Sequence, residues 1–513
     1  MKQKQYSDIL AMFGFCLLGA YSFFAAIYLL DFSKIHIHLP FLNFPIFIGE
    51  IVLLICLVIF LMLIRQGSIL LTPWHGGILI YLALMVVWVM LDYFRLGHQA
   101  LAMRNGMLFI YPICSLFTYS FYRPAIFTKT FCCLLAILLF LVGLISTNGI
   151  ASFGCFLLFL IIITKIFQQP LRSVVFILAL VFWPYGSFLS SARTWLVAAV
   201  VAYIFLGIIF IKYFFPLERK WKVIFSLVLM GVFMLGIFHF ANKTRGKTLL
   251  RPAGLIHKYQ EAKAIIKEKE SFFHPETLPV NLYNYQTGQG KKFINVTMDR
   301  TKIVPSSRLE TFKPVPAPAT APHQEIIVRI KSSLETTVPP KQQVPVIESH
   351  SISDEENTVK DAYNNVVFRI LIWEDMIHEV WDKKCVLGVG MGEPQRSRNI
   401  EILGWADGEW KRDGWITPHN SYLHLIYRAG IIGIGLIVIL ITVFYQMVGY
   451  FTKRHCWQGI LLSGIIIYGM VAANFLLIFE LPYYAIPFWS IWGIALAVKQ
   501  SLGKNEKLMG GKV

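Results

Sequence analysis

Twelve apolar runs, each long enough to cross a bilayer, leave this chain few architectures. They lie near residues 8–31, 44–64, 73–92, 106–122, 127–147, 149–168, 172–190, 192–214, 221–241, 420–450, 457–478 and 481–498. A helix needs about 20 mostly apolar residues to span the hydrocarbon layer, where an open backbone finds no water. The expected fold is an all-α polytopic membrane protein of about 12 transmembrane helices. Composition agrees: 56% of the residues are hydrophobic, 15% are charged and the mean hydropathy is +0.60. The run at 106–122 contains Pro112 and is the weakest of the set. The first run occupies the place of a signal peptide, but it is too long for one and no convincing cleavage site follows, so it reads as a retained helix.

Charge sets the expected orientation. With the amino terminus in the cytoplasm, Lys2, Lys4, Arg65, Arg123, Lys129, Lys165, Arg172, Lys212, Arg219, Lys220, Lys222, Lys453 and Arg454 all fall on the cytoplasmic side. The opposite short loops carry Lys34, Arg95, Arg104 and Arg193. The positive-inside rule then puts both termini in the cytoplasm and residues 242–419 on the other face, between spans nine and ten. The chain divides into membrane helices at 1–241, a large polar segment at 242–419, helices at 420–498 and a cytoplasmic tail at 499–513. The polar segment has 25 Lys and Arg against 22 Asp and Glu, so it supplies only +3 of the net +18. The basic excess is thus mainly a topology signal and speaks against a nucleic-acid partner. Eight cysteines, seven of them in or beside apolar runs, form neither a disulfide framework nor a zinc spacing.

Within the polar segment, residues 243–270 read as partly helical. Residues 271–358 are rich in Pro, Thr, Ser and Gln and bury little. Periodicity returns at 362–382, where Val367, Ile370, Leu371, Ile377 and Val380 share one broad face and Glu374, Asp375 and Glu379 another. That pattern predicts an amphipathic helix lying on the membrane or on the protein, with Arg369 and Trp373 one turn apart. The glycines of VLGVGMGEP, after this helix, lack a strand-turn-helix setting and read as a tight turn.

The polar segment ends in WITPHNSYLHLIYRAGIIGIG, residues 415–435. Thr417 is the expected N-cap, Pro418 suits the first helical position, and His419 and Asn420 follow in the first turn. The positive end of a helix disfavours imidazolium, leaving the neutral ring that can accept a proton. Arg428 lies roughly 13 Å further along, inside an apolar run, where an arginine marks either function or a side chain snorkelling to the headgroups.

Other chemistries find little support. His36 and His38 in the first outer loop, and Asp407 and Glu409 in ADGEW, are weak as metal ligands. A nucleophile elbow is absent from the sequence. Arginines at the outer surface with one neutral histidine suit a different task. Guanidinium groups hold a diphosphate and stabilise the charge that grows as it leaves, while the histidine takes a proton from an attacking hydroxyl.

These residues resemble the signature of the O-antigen ligase family: His, then Asn, Ser or Gln, nine residues, Gly, two residues, and Gly, Thr or Tyr. His419, Asn420, Gly430 and Gly433 match it at every defined position. The helix FRILIWEDMIHEVW with its glycine turn, and SARTWLV at 191–197, are similar to two further family features, although Val197 stands where the family usually has Leu. The resemblance covers 190–200 and 364–435 best. Residues 243–360 look like an enlargement of the usual form. It implies a fold like that of the membrane glycosyltransferases of the C class. It also implies an enzyme of the bacterial inner membrane that moves polysaccharide from undecaprenyl diphosphate to a lipid A-core acceptor on the periplasmic side, with neither metal nor cofactor. On that basis His419 is the general base, and Arg193 and Arg369 bind the diphosphate. Arg428 joins them through its depth in the sequence, and Asn420 orients the histidine or a sugar. An O-antigen polymerase or a protein O-oligosaccharyltransferase of the same family would share this chemistry. A lipid-linked oligosaccharide flippase would use the arginines along a path, and an interaction module on a membrane anchor would need neither.

Overall fold

The computed structural model describes residues 2–33, 35–37, 46–69, 72–95, 99–123, 129–145, 193–214, 252–270, 354–405 and 418–508, with five positions between 155 and 162. Almost all are helical. The order is α1 (Lys2–Ser33), a two-residue antiparallel pair of β1 (His36–Ile37) and β2 (Ile46–Phe47), α2 (Ile48–Arg65), α3 (Pro73–Arg95), α4 (Gln99–Leu108), α5 (Ile113–Phe121) and α6 (Lys129–Ile145). Then follow α7 (Arg193–Phe214), α8 (Pro252–Glu270), α9 (Asp354–Asp382), α10 (Arg398–Leu403), α11 (Ser421–Lys453), α12 (Trp457–Ala472) and α13 (Pro482–Leu508).

Four helices among the described residues are long and apolar enough to cross a membrane: Gln5–Tyr28, Ile48–Arg65, Pro73–Phe94 and Ser421–Lys453. Shorter apolar stretches occupy Val197–Ile209 and Trp457–Ala472. The runs at 172–190 and 221–241, and most of 149–168, lie outside the described residues.

The run at 106–122 is not one span. Helix α4 ends at Leu108 and α5 begins at Ile113, with Pro112 as its N-cap. A proline has no backbone N–H to continue the ladder, so the chain breaks there. Nine residues reach only about 13 Å. Residues 114–121 are all buried, against α13, α1 and α2, so α5 is an interior helix.

Two larger cores organise the rest of the described residues. The larger is built from the membrane-type helices, with Trp489, Trp492, Phe117, Phe121 and Tyr468 among its fully buried rings. A smaller one joins α8, α9 and α10 through Ala262, Ile266, Val367, Leu371, Ile372, Met376, Ile400 and Ile402. Tyr427 of α11 belongs to this second core and so ties the polar segment to the membrane helices. The helix expected at 362–382 extends back to Asp354. Its apolar residues divide: Val367 and Leu371 face inward, whereas Ile377 is exposed. Residues 252–270 are helical as expected. The Pro-rich stretch falls mostly outside the described residues.

Candidate functional site

Helix α11 begins later than the sequence suggests. Asn420 is its N-cap, extended at φ −151°, and its side-chain oxygen accepts from Leu423 N at 3.0 Å. Ser421 is the first helical residue, so Pro418 and His419 stand before the helix. Asparagine is favoured as a cap because its short side chain reaches the N–H groups left open in the first turn. Thr417 lies outside the described residues. His419 adopts φ +50°, a left-handed conformation that costs a non-glycine residue some free energy and that its surroundings must hold.

Two neighbours hold this turn. Trp373 of α9 donates Nε1–H to the Pro418 carbonyl at 2.5 Å. On the other side Ser421 N–H donates to the Ala473 carbonyl at 2.8 Å. Arg369, one turn before Trp373, donates from Nη1 to the Phe475 carbonyl at 3.2 Å. The α12–α13 turn therefore receives both the arginine and the start of α11. Burial pushes the His419 imidazole down to about 4, and the Arg369 charge pushes in the same direction. His419 is thus neutral across the physiological range and able to accept a proton. Burial also lowers the Arg369 guanidinium from its ordinary value.

Beneath this turn is a buried polar cluster that the sequence pattern does not announce. Ser421 Oγ donates to Glu480 Oε2 at 2.5 Å and receives the Phe479 N–H at 3.2 Å. Glu480 is fully buried, and its Oε1 stands 3.4 Å from Nδ1 of the buried His424. A signal for it is present in IFELPYY, where one carboxyl group interrupts an apolar run; such a group must find partners inside the protein.

Helix α9 is fixed by its own carboxyl groups. Asp375 accepts from Ser397 Oγ and from Asn399 N and Nδ2, at 3.0 and 2.7 Å for the latter two, which docks the cap of α10. Burial raises the Asp375 carboxyl, and the donors from Ser397 and Asn399 oppose it. Glu379 accepts from Tyr427 Oη at 2.6 Å.

Arg428 is fully buried, and its Nη1 donates to the carbonyls of Gly390 at 2.9 Å and Glu393 at 2.5 Å. Its own carbonyl accepts from Trp88 Nε1 at 3.2 Å. The loop it holds is also gripped by Asp92, which accepts the Met391 N–H, and by Asn105, which donates to the Met391 carbonyl at 2.6 Å.

The same loop enters α11. Gly430 has φ 51° and ψ −125°, which breaks the helix. Val389 N–H donates to the Tyr427 carbonyl at 2.7 Å, and Ile431 N–H donates to the Val386 carbonyl at 2.9 Å. Residues 386–389 thus supply hydrogen bonds that the helix loses at the kink. A Cβ on Gly430 would collide with the Val386 oxygen, and one on Gly433 would lie 2.5 Å from the Leu425 oxygen. The spacing of His419, Asn420, Gly430 and Gly433 therefore has a local physical content: a held histidine, a cap, a kink and a close backbone approach. The turn expected over VLGVGMGEP is present, with Gly388 and Gly390 at positive φ.

The structure thus brings His419, Asn420, Arg369 and Trp373 together, and Arg428, further along α11, has its Nη1 engaged by the loop. Arg193 is the first residue of α7, as the sequence suggests for the eighth run, but its side chain lies outside the described residues. Among the described residues no group of three or more His, Cys, Asp or Glu side chains could hold a metal ion. In comparisons with family models, curated proteins and solved structures, nothing matches this chain.

Proposed function

We propose that this protein is a membrane glycosyltransferase of the O-antigen ligase type. In this reading it transfers a glycan from undecaprenyl diphosphate to a lipid A-core hydroxyl at the periplasmic face of the inner membrane, within a membrane domain of about 12 helices. The observation that carries it is a neutral histidine, held by Trp373 through Pro418 and set beside Arg369, at the mouth of an apolar kinked helix. His419 takes the proton from the acceptor hydroxyl as the new glycosidic bond forms. The bond between the sugar and the diphosphate breaks, and the electron pair leaves with the diphosphate. Arg369, with Arg193, balances that charge. No step requires a metal or another cofactor.

In this reading Arg428 also has a structural part. Its Nη1 donates to the Gly390 and Glu393 carbonyls, which makes it a brace for the loop at the kink. Asn420 likewise acts through the helix as its cap.

His419→Ala in a host that depends on this protein tests the reading. Long-chain lipopolysaccharide should disappear while polymer accumulates on the lipid carrier. Chains of a single repeat would instead indicate a polymerase, and an unchanged profile from stably expressed variant would defeat the catalytic role. The purified protein should work with purified donor in excess chelator and without ATP. Activity strictly restored by a divalent ion would defeat the account based on arginines.

A further inference from the structure

Helix α9 has two apolar faces, and the protein covers one of them. Val367, Leu371, Ile372 and Met376 are buried against α8 and α10. A second row, Ile370, Trp373, Ile377 and Trp381, recurs at spacings of three and four and points away from that core. Its first three members line an open groove of about 350 Å³ with Tyr259, Glu374 and His378. Toward the end of the helix the row emerges altogether: Ile377 is exposed, and Trp381 is 80% exposed.

The chain then turns through Lys383 and Lys384 to Val386, which is 70% exposed, and Leu387. Here the row meets the membrane-type helix. Val386 is joined to Ile431 by the backbone hydrogen bond at the kink, and Ile431 opens an exposed apolar stripe along α11 formed by Ile434, Val438, Ile441 and Tyr445. That stripe belongs to a helix long and apolar enough to span a bilayer, so its natural surroundings are acyl chains. Val386 and Leu387 continue it without a break. Two lysines and an exposed tryptophan beside them are the residue types that settle at the boundary between hydrocarbon and headgroups.

We infer that the segment Ile377 to Leu387 is a membrane-surface anchor, inserted into the lipid interface at the Ser421 end of α11. The occupant of the second face of α9 from Ile377 onward is lipid. Arg369 is twelve residues from Trp381, which puts it at most about 18 Å along the helix from the headgroup level. Trp373, which holds Pro418, lies nearer still. The anchor thereby fixes the depth of the candidate site relative to phosphates carried on lipids, and it stands independently of the reaction proposed above.

The test uses the full chain in lipid nanodiscs with the photocrosslinker p-benzoylphenylalanine at one position at a time. Val438 on the α11 stripe is the positive control, and Lys267, exposed on α8, is the negative one. Lipid adducts, read by mass spectrometry of the labelled peptides, should form at positions 381 and 386 at yields at least about tenfold above position 267 and close to position 438. Adducts at 438 with none at 381 and 386 would overturn the inference. So would crosslinks from 381 to another peptide of this chain, which would show that protein covers the face. Because none of these readouts needs activity, a failed glycosyl-transfer assay leaves the test intact.

Discussion

The Trp373 indole and the Pro418 carbonyl meet at 2.5 Å, and this hydrogen bond is what connects the amphipathic helix to the residue before His419. Trp373→Phe keeps the ring volume in part and removes the donor. It should lower transfer activity roughly ten- to a hundredfold, because a displaced base loses reach, while thermal stability changes little. A Trp373→Phe variant with wild-type turnover would show that the bond does not position the histidine.

Gly430 and Gly435 form an internal comparison. Alanine at 430 would meet the Val386 oxygen and would be held at a positive φ, so Gly430→Ala should destabilise the protein by about 3 kcal/mol or more, or fail to accumulate. A methyl group added at Gly435 would find nothing within 4 Å, and Gly435→Ala should be neutral or slightly stabilising. Melting of the two variants in the same detergent checks the contrast.

The pH dependence follows from His419. Its folded value of about 4 is below the ordinary 6.5, so between these values the unfolded chain binds more protons than the folded one. The contribution of this group to stability is therefore fully present above about 6.5 and is lost as the pH falls through the window toward 4. The acid limb of kcat/KM should likewise fall near pH 4 rather than near 6.5. Arg369→Met removes the nearby positive charge and should move that limb upward in pH, against a reduced rate. An unmoved limb would remove Arg369 from the environment of the histidine.

Arg428 and Arg369 should separate in their phenotypes. Arg428→Met leaves two loop carbonyls without their donor and should cost roughly 3 kcal/mol of stability, read as a lower melting temperature. Arg369→Lys should melt near the parent and weaken donor use, read as a raised KM. If Arg428→Lys changed only donor KM at unchanged stability, the brace assignment would be wrong.

Glu480 offers a test of shape against hydrogen bonding. Glu480→Gln retains an oxygen for Ser421 Oγ and should keep activity within about threefold. Glu480→Leu removes this acceptor, leaves the start of α11 to the Ala473 and Leu476 carbonyls and should lose about tenfold in activity with about 1–3 kcal/mol in stability. Equal behaviour of the two variants would mean that the contact to Ser421 has no effect on the site.

Much of the architecture is legible in the residues alone, for physical reasons that differ from case to case. Long apolar runs, the helix around Arg369 and Trp373, and the glycine turn each carry a local periodicity or a local backbone demand. The break at Pro112 is visible as a weakness but not as an interior helix, since burial on all sides depends on which neighbours arrive. Asn420 displaces Thr417 as the cap because a cap is chosen by the geometry of one N–H group. The place of Arg428 in the site is hidden for a deeper reason. Depth in an apolar run shows that a charge must be satisfied, but not by which oxygens, and here they come from the chain 35 and 38 positions earlier. Glu480 and His424 are likewise legible as residue types in apolar company, and their meeting across 56 positions is not.

The kink at Gly430 also bears on how the chain assembles. A helix entering a bilayer ordinarily carries all its backbone partners with it, whereas in α11 the Tyr427 carbonyl and the Ile431 N–H are bonded to Val389 and Val386. Residues 386–389 precede α11 in the chain, so they are synthesised first and then complete the helix that follows them. This stretch is a splint for the membrane domain, and trimming it at that point should be felt as a failure of insertion before any question of catalysis arises.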